Sequence, residues 1–309
     1  MNRERTLAYV AFGIVCIVWG TTYLAIRIAV ETIPPFLLTG FRYTAAGLVM
    51  LAIGKFRGER LPTDRRTYLE LVLIGTLMVG VGNLAVVWSE QYVESGMAAL
   101  LVAAAPFWIA VLEAMRPDGE RLDLRRGLGM LVGFAGVAML VAPHASGHAM
   151  DGKFIAGAVV IQLGSIGWQY GTMRAKYRLH GISPMVSSSL QMLFGGVIVA
   201  VAGSLIGEWS ALHFTPRSFS ALVYLAVFGS IIAFSAYVYA LSKMRTTSMS
   251  LYAYVNPAVA VLLGWLVLRE ELTWLSVVAM VIILAGVAIV QTAPPRKITL
   301  TASAVATEP

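Results

Sequence analysis

Trp19 and Tyr23 stand four residues apart in a long apolar run, and Trp168 and Thr172 repeat the spacing in another, with Gln169 and Tyr170 adjacent. Residues four apart share one face of a helix, so each run presents a stripe headed by an indole. Two such indoles could box an apolar or cationic side chain. Packing or an interfacial belt is the plainer use of tryptophan, but the mid-run position argues against the belt. Asn83 lies within a third apolar run, and Asn256 directly precedes Pro257. The missing N–H of that proline leaves a carbonyl unpaired. An amide beside a broken hydrogen-bond ladder offers donors and acceptors together, which suits the charged ends of an amino acid. The alternative is an interhelical hydrogen bond of ~0.6–2 kcal/mol. Tyr252, one turn before Asn256, and Tyr237 complete the candidate substrate-binding set of Trp19, Tyr23, Asn83, Trp168, Gln169, Tyr237, Tyr252 and Asn256.

Three charged residues could pair ions or couple protons. Arg42, about eight residues past Pro34, is the one full cation well inside an apolar run. It could neutralise a substrate carboxylate, but a structural role is the stronger expectation, either pairing with Glu90 or snorkelling outward. Glu90 and Glu113 fall near the ends of their runs rather than mid-membrane, so proton antiport has no clear carrier. The spans hold no paired acids, serine–histidine pair or metal-binding histidines of the kind an intramembrane enzyme needs. No catalytic residue is therefore expected. His144, His148, His180 and His213 read as loop residues, and Ala-Ser-Gly between the first two makes a poor metal-holding helix, so no metal site is expected. The glycines of 127–136 follow no strand and make no nucleotide fingerprint, and no cofactor is expected.

These residues need elements to hold them, and the composition restricts the choice. Of 309 residues, 58% are hydrophobic and only 13% charged, with a mean hydropathy of +0.78. A soluble domain carries about 25% charged residues, so a soluble enzyme is excluded. Long unbroken apolar runs exclude a transmembrane barrel, which would alternate over ~10 residues. Ten candidate spans are read at roughly 7–28, 35–54, 69–88, 95–115, 127–143, 153–173, 184–206, 218–241, 247–268 and 273–292. Ser183-Pro184 and Thr215-Pro216 set a capping hydroxyl before an N1 proline, Asp123 and Thr273 read as N-caps, and Pro106 and Pro257 read as helix breaks. The run after Arg5 is too long for a signal peptide and leads to no small-residue cleavage site. It reads as a retained first helix.

Lysine and arginine crowd into alternate loops. Segments 1–6, 55–66, 116–126, 174–178, 243–245 and 296–297 hold eighteen, against four in the remaining loops. The positive-inside rule then sets both termini in the cytoplasm, and it explains the net charge of +7 better than nucleic-acid binding does.

The two halves of the chain also match each other. Trp19 and Pro35 are 16 apart, as are Trp168 and Pro184, and that offset sets Gly47 on Gly196 and Arg27 on Lys176. Pro106 aligns with Pro257, Glu120-Arg121-Leu122-Asp123 with Glu270-Glu271-Leu272-Thr273, and Ala135-Gly136-Val137-Ala138 with Ala285-Gly286-Val287-Ala288, at offsets of 149–151. The expected organisation is a first repeat over 1–143, a second over 153–292 and a disordered tail over 293–309. Five helices per unit would invert the second copy in the membrane, the architecture of many alternating-access carriers.

Trp19-Gly20-Thr21-Thr22, Arg42, Pro106, Glu120-x-Leu122 with its echo Glu270-x-Leu272, and Gly133-x-x-Gly136-Val137 together resemble the EamA family of the drug/metabolite transporter superfamily over about residues 7–292. Val87-Trp88-Ser89-Glu90 and the run from Ser95 to Leu101 are most similar to its YedA/YddG-type amino-acid and drug exporters. The resemblance implies an all-α, ten-helix bundle with a central cavity lined by helices one, three, four, six, eight and nine. It also implies export of amino acids, nucleosides, cofactors or drugs. The expectation is an inner-membrane exporter of small amphipathic metabolites, foremost amino acids with apolar or aromatic side chains. A drug or nucleoside exporter, proton-coupled or not, and a passive facilitator or channel are the alternatives. The expected partners are the lipid bilayer and a small-molecule substrate, with no nucleic acid; a monomer is the working expectation, although the sequence leaves the oligomeric state open.

Overall fold

The computed structural model describes residues 3–117, 124–146, 152–250 and 252–292, and all regular structure among them is helical. Helix α1 spans Arg3–Ala29 and α2 Pro35–Phe56; α3, Arg65–Ser89, carries a π-helical stretch at Thr76–Asn83. Helix α4, Ser95–Ala114, is interrupted by a turn at Ala103 and Ala104. Helices α5 (Leu124–Ser146), α6 (Gly152–Arg178) and α7 (Pro184–Leu205) follow. Helix α8, Pro216–Lys243, has a second π stretch at Leu225–Ile232. After a single turn at Thr246–Met249 come α9, 252–268, ending in the π turn Gly264–Leu268, and α10, Trp274–Gln291. Six of these helices (α1, α2, α3, α4, α7 and α8) are long and apolar enough to cross a membrane, while α5, α9 and α10 contain shorter apolar stretches. The protein is an all-helical polytopic membrane protein.

Helix starts follow local chemistry. Ser183 Oγ accepts from Val186 N at 3.3 Å, Thr273 Oγ1 from Ser276 N at 3.1 Å, and Thr215 and Ser218 satisfy each other's backbone N–H groups in a capping box. Asp64 caps α3 through Thr67 N at 2.8 Å, and that bond holds its exposed carboxyl below the usual aspartate range. Pro34, at the start of α2, has no capping side chain. Its place is taken by Glu208, from the loop after α7, which accepts from Phe36 N and Leu37 N at 3.3 and 2.9 Å. Partial burial nevertheless leaves the Glu208 carboxyl above its usual range.

That cap works at a distance because α2 and α7 lie against each other along a glycine seam. A Cβ on Gly47 would meet the Leu193 backbone at 2.6 Å, and one on Gly196 the Thr44 backbone at 2.5 Å. Small residues let membrane helices touch backbone to backbone, where close packing replaces the hydrophobic drive missing in lipid. The π stretches of α3 and α8 begin 149 residues apart, at Thr76 and Leu225, an offset that also relates the sequence halves.

Several expectations change or fall outside the described residues. Pro106 does follow a break in α4, whereas Pro257 lies inside the helical run Tyr252–Leu263 without ending it. As the sixth residue of that run, Pro257 lacks the N–H that would bond the Ala253 carbonyl, yet the helix continues through it. Helix α5 likewise runs past Pro143 to Ser146, so His144 is on a helix rather than in a loop. Asp123, Glu120, His148 and the tail 293–309 lie outside the described residues.

Candidate functional site

Helices α1, α2, α3, α4, α6 and α9 converge on a partly open cavity. On α1, Trp19, Thr22, Tyr23 and Ile26 line it, the i, i+3, i+4, i+7 stripe of one helix face. On α6, Ser165, Trp168 and Gln169 do the same, and α2 adds Arg42 and Tyr43. Asn83 and Val86 come from α3, Val102 and Ala105 from either side of the break in α4, and Tyr252 and Asn256 from α9.

One side of this cavity is a cluster of aromatic rings. Trp19 meets Trp168 edge-on at 5.4 Å between centroids, Tyr237 at 5.0 Å and Tyr252 at 5.1 Å. Tyr237 lies 5.7 Å from Trp168 and 5.8 Å from Tyr252, so the four rings close on one another. Such contacts are worth ~0.5–1.5 kcal/mol each beyond area burial. Backbone chemistry holds the rings in place. Trp19 Nε1 donates to the Gly229 carbonyl at 3.0 Å, within the π stretch of α8, and Trp168 rests on α3 at Gly82, where a Cβ would come within 2.8 Å of its own. Tyr237 bonds Thr172 through its hydroxyl at 2.6 Å. With its amide turned so that the nitrogen faces the Cys16 and Tyr252 carbonyls, Asn256 donates to them at 2.9 and 3.1 Å and ties α9 to α1.

Polar atoms among the other lining residues are not all satisfied. Arg42 is 2% exposed, its Nε donates to Ser230 Oγ at 2.7 Å, and its guanidinium lies 4.6 Å from the Tyr43 ring centre. Its Nη1 has no hydrogen-bond partner, nor do Asn83 Oδ1 and Gln169 Nε2. The expected Arg42–Glu90 pair is not formed, and Arg42 does not snorkel. Both Glu90 carboxylate oxygens are buried without partners, while its backbone carbonyl accepts from Arg27 Nη1. The π stretch of α8 brings Ser230 to Arg42 instead.

Glu113 stands away from the cavity. It accepts from Arg116 Nη1 at 3.0 Å, Thr246 Oγ1 at 2.8 Å and the Tyr177 hydroxyl at 3.2 Å, so it joins α4, α6 and the turn before α9. Lys176 Nζ donates to the Leu241 and Met244 carbonyls, Arg174 Nε to Glu70 Oε2 at 3.0 Å, and Lys243 pairs with Glu4 at 3.1 Å. All these ties gather at the end of the bundle where α1 begins. The lining stripe on α1 runs from Trp19 to Ile26, away from that end.

Of the residues singled out in sequence, Trp19, Tyr23, Asn83, Trp168, Gln169, Tyr252, Asn256 and also Arg42 line this one cavity. Tyr237 is behind it in the aromatic cluster, and Glu90 and Glu113 are not on its wall. Thr22, Ser165 and Tyr43 were not anticipated. The first two share a face with Trp19 and Trp168 at a spacing of three, so helical periodicity could have found them. Tyr43 gives no such signal, because neighbours in sequence point in different directions.

Comparison with known proteins matches this geometry to a family. The EamA-like transporter family matches residues 6–142 and again 155–292, and the chain belongs to that family of membrane transporters. Among its relatives is the "Uncharacterized inner membrane transporter YedA" of Escherichia coli K12, 36% identical over 89% of this chain and 87% of that protein. The "Uncharacterized transporter YoaV" of Bacillus subtilis is 20% identical over 88% of this chain and 92% of its own length. One crystal structure, 21% identical, superposes with a TM-score of 0.68 over 93% of this chain and 97% of that one, a likeness of fold alone.

Proposed function

We propose that this protein is a secondary carrier of the bacterial inner membrane that exports small amphipathic metabolites, foremost amino acids with apolar or aromatic side chains. The observation that carries the reading is the cavity itself, whose lining brings indole and phenol rings together with amide and guanidinium groups. An aromatic box suits an apolar side chain, and unpaired polar atoms suit the charged ends of the same molecule. The doubled family match and the π stretches 149 residues apart support two repeats (1–143 and 153–292); five spans in each, ten in all, would invert the second, and the lysine and arginine bias of the loops favours both termini in the cytoplasm. Alternating access then exchanges the closed side of the cavity for the open one. In this arrangement the aromatic cluster and the Glu113 ties form the cytoplasmic gate.

Counterflow in proteoliposomes tests the reading. Vesicles loaded with unlabelled amino acids, with no ion gradient, should transiently accumulate labelled amino acid from outside. No accumulation by well-folded protein would move the assignment to drugs, nucleosides or other metabolites. Single-channel current would replace the carrier by a channel.

A further inference from the structure

We propose that Arg42 is the carboxylate anchor of the cavity and Asn83 the acceptor for a neighbouring ammonium, so that the site selects molecules bearing both groups close together. This rests on the carrier reading above and adds the residues that set its selectivity.

Arg42 is a buried cation with an unfinished set of bonds. A guanidinium carries five donors, and a buried polar group without a partner is costly. Arg42 spends Nε on Ser230 and lays its plane near Tyr43, yet Nη1 has no partner. Glu90 makes no hydrogen bond to it, both of its carboxylate oxygens being without partners. A structural arginine in a bundle would be expected to complete its bonds with protein. This one is held rigidly and left incomplete on the cavity wall.

What holds it also aims it. Gly229 approaches so closely that a Cβ there would come within 2.7 Å of Arg42 Nη2, and the Gly229 carbonyl accepts from Trp19 Nε1. One residue of α8 thus seats both the guanidinium and the indole, setting the cation beside the aromatic cluster. Elsewhere on the lining, Asn83 Oδ1, Gln169 Nε2 and Trp168 Nε1 also lack partners. Asn83 follows Gly82, on which Trp168 rests. The unmet valences are therefore a cationic donor, two neutral donors and an acceptor. A carboxylate satisfies Arg42 and a neutral donor, an ammonium the acceptor, and an apolar side chain the rings. A bare amine leaves Arg42 unpaired, and a bare acid leaves Asn83 unpaired.

The test uses the full chain in proteoliposomes with three probes: L-phenylalanine, phenylethylamine, which lacks the carboxylate, and 3-phenylpropionate, which lacks the ammonium. Wild type should exchange phenylalanine with a half-saturation about 10- to 100-fold lower than for either analogue, the range for a hydrogen bond to a charged group. Arg42→Gln should raise the phenylalanine value by a similar factor and abolish discrimination against phenylethylamine, while Arg42→Lys should restore part of it. Asn83→Leu should abolish discrimination against 3-phenylpropionate alone. Should Arg42→Gln fail to fold, Ser230→Ala decides, because it frees the guanidinium without removing it and should weaken phenylalanine several-fold. Equal exchange of phenylalanine and phenylethylamine by wild type, or unchanged discrimination in monodisperse Arg42→Gln or Ser230→Ala, overturns the anchor and leaves the carrier reading standing. No exchange of any probe by well-folded wild type overturns both.

Discussion

Gly196→Ala adds one methyl group where α2 and α7 touch. The new Cβ would lie 2.5 Å from Thr44 N and 2.8 Å from the Tyr43 carbonyl carbon. Ordinary contact begins near 3.4 Å, and the obstacle is backbone, which cannot rotate away. The two helices must therefore part by about 0.9 Å locally. A gap of 0.5–1 Å forfeits a quarter to a half of a dispersion well of ~0.1–0.2 kcal/mol per atom pair. Over some forty such pairs along the seam the loss is about 2 kcal/mol, within the ~1–3 kcal/mol usual for overpacking. Because Thr44 adjoins Arg42 and Tyr43, the same shift moves a cavity wall, so weaker exchange should accompany the lost stability. Equilibrium unfolding in mixed micelles measures it, with Gly13→Ala as the control, since a Cβ there meets nothing within 4 Å. The control should be neutral or stabilised by up to about 1 kcal/mol through helix propensity. If Gly196→Ala unfolds within about 0.5 kcal/mol of wild type, the backbone seam does not bear the packing assigned to it.

Glu208→Ala strips the cap of α2 and should cost about 1 kcal/mol, read as a lower melting temperature, with Glu208→Gln recovering part of the loss. Trp168→Ala and Asn256→Ala should reduce counterflow without preventing membrane insertion, whereas Tyr237→Phe should leave half-saturation unchanged because that ring stands behind the cavity. Glu113→Gln should speed hydrogen exchange in residues 110–117 and 174–178 about tenfold, the loss of one charge-assisted bond; unchanged exchange would remove Glu113 from the gate. Asp64 has its carboxyl held below the usual range, so the stability it lends is present above its unfolded pKa and is lost as pH falls through the lower folded value. Protection factors at residues 65–68, exchange corrected for its intrinsic pH dependence, should therefore fall in acid, and Asp64→Asn should flatten that dependence.

Much of this molecule was legible before any fold was known, because lipid imposes a strong and local requirement. Every backbone polar group in a span must be satisfied within its own helix, so apolar run length and helix-starting residues such as Ser183, Thr215 and Thr273 announce the helices directly. The indoles at 19 and 168 and the amides at 83, 169 and 256 stood out for the same reason, since polar and aromatic groups amid apolar runs need a partner. Partner choice was not legible. Arg42 bonds Ser230 rather than Glu90, and α2 is capped by Glu208 from 171 or more residues away, because the π stretch of α8 and the glycine seam set those distances. Tyr237 packs its ring against Trp19 at 5.0 Å, a contact set by helix rotation that no periodicity in its own helix encodes. Sequence alone determined an all-helical membrane protein, its aromatic and amide residues and its family resemblance, all properties of single helices in apolar surroundings. Only the tertiary structure decided which polar atoms meet and which stay unpaired on the cavity wall, because hydrogen bonds are fixed to within tenths of an ångström by how whole helices pack.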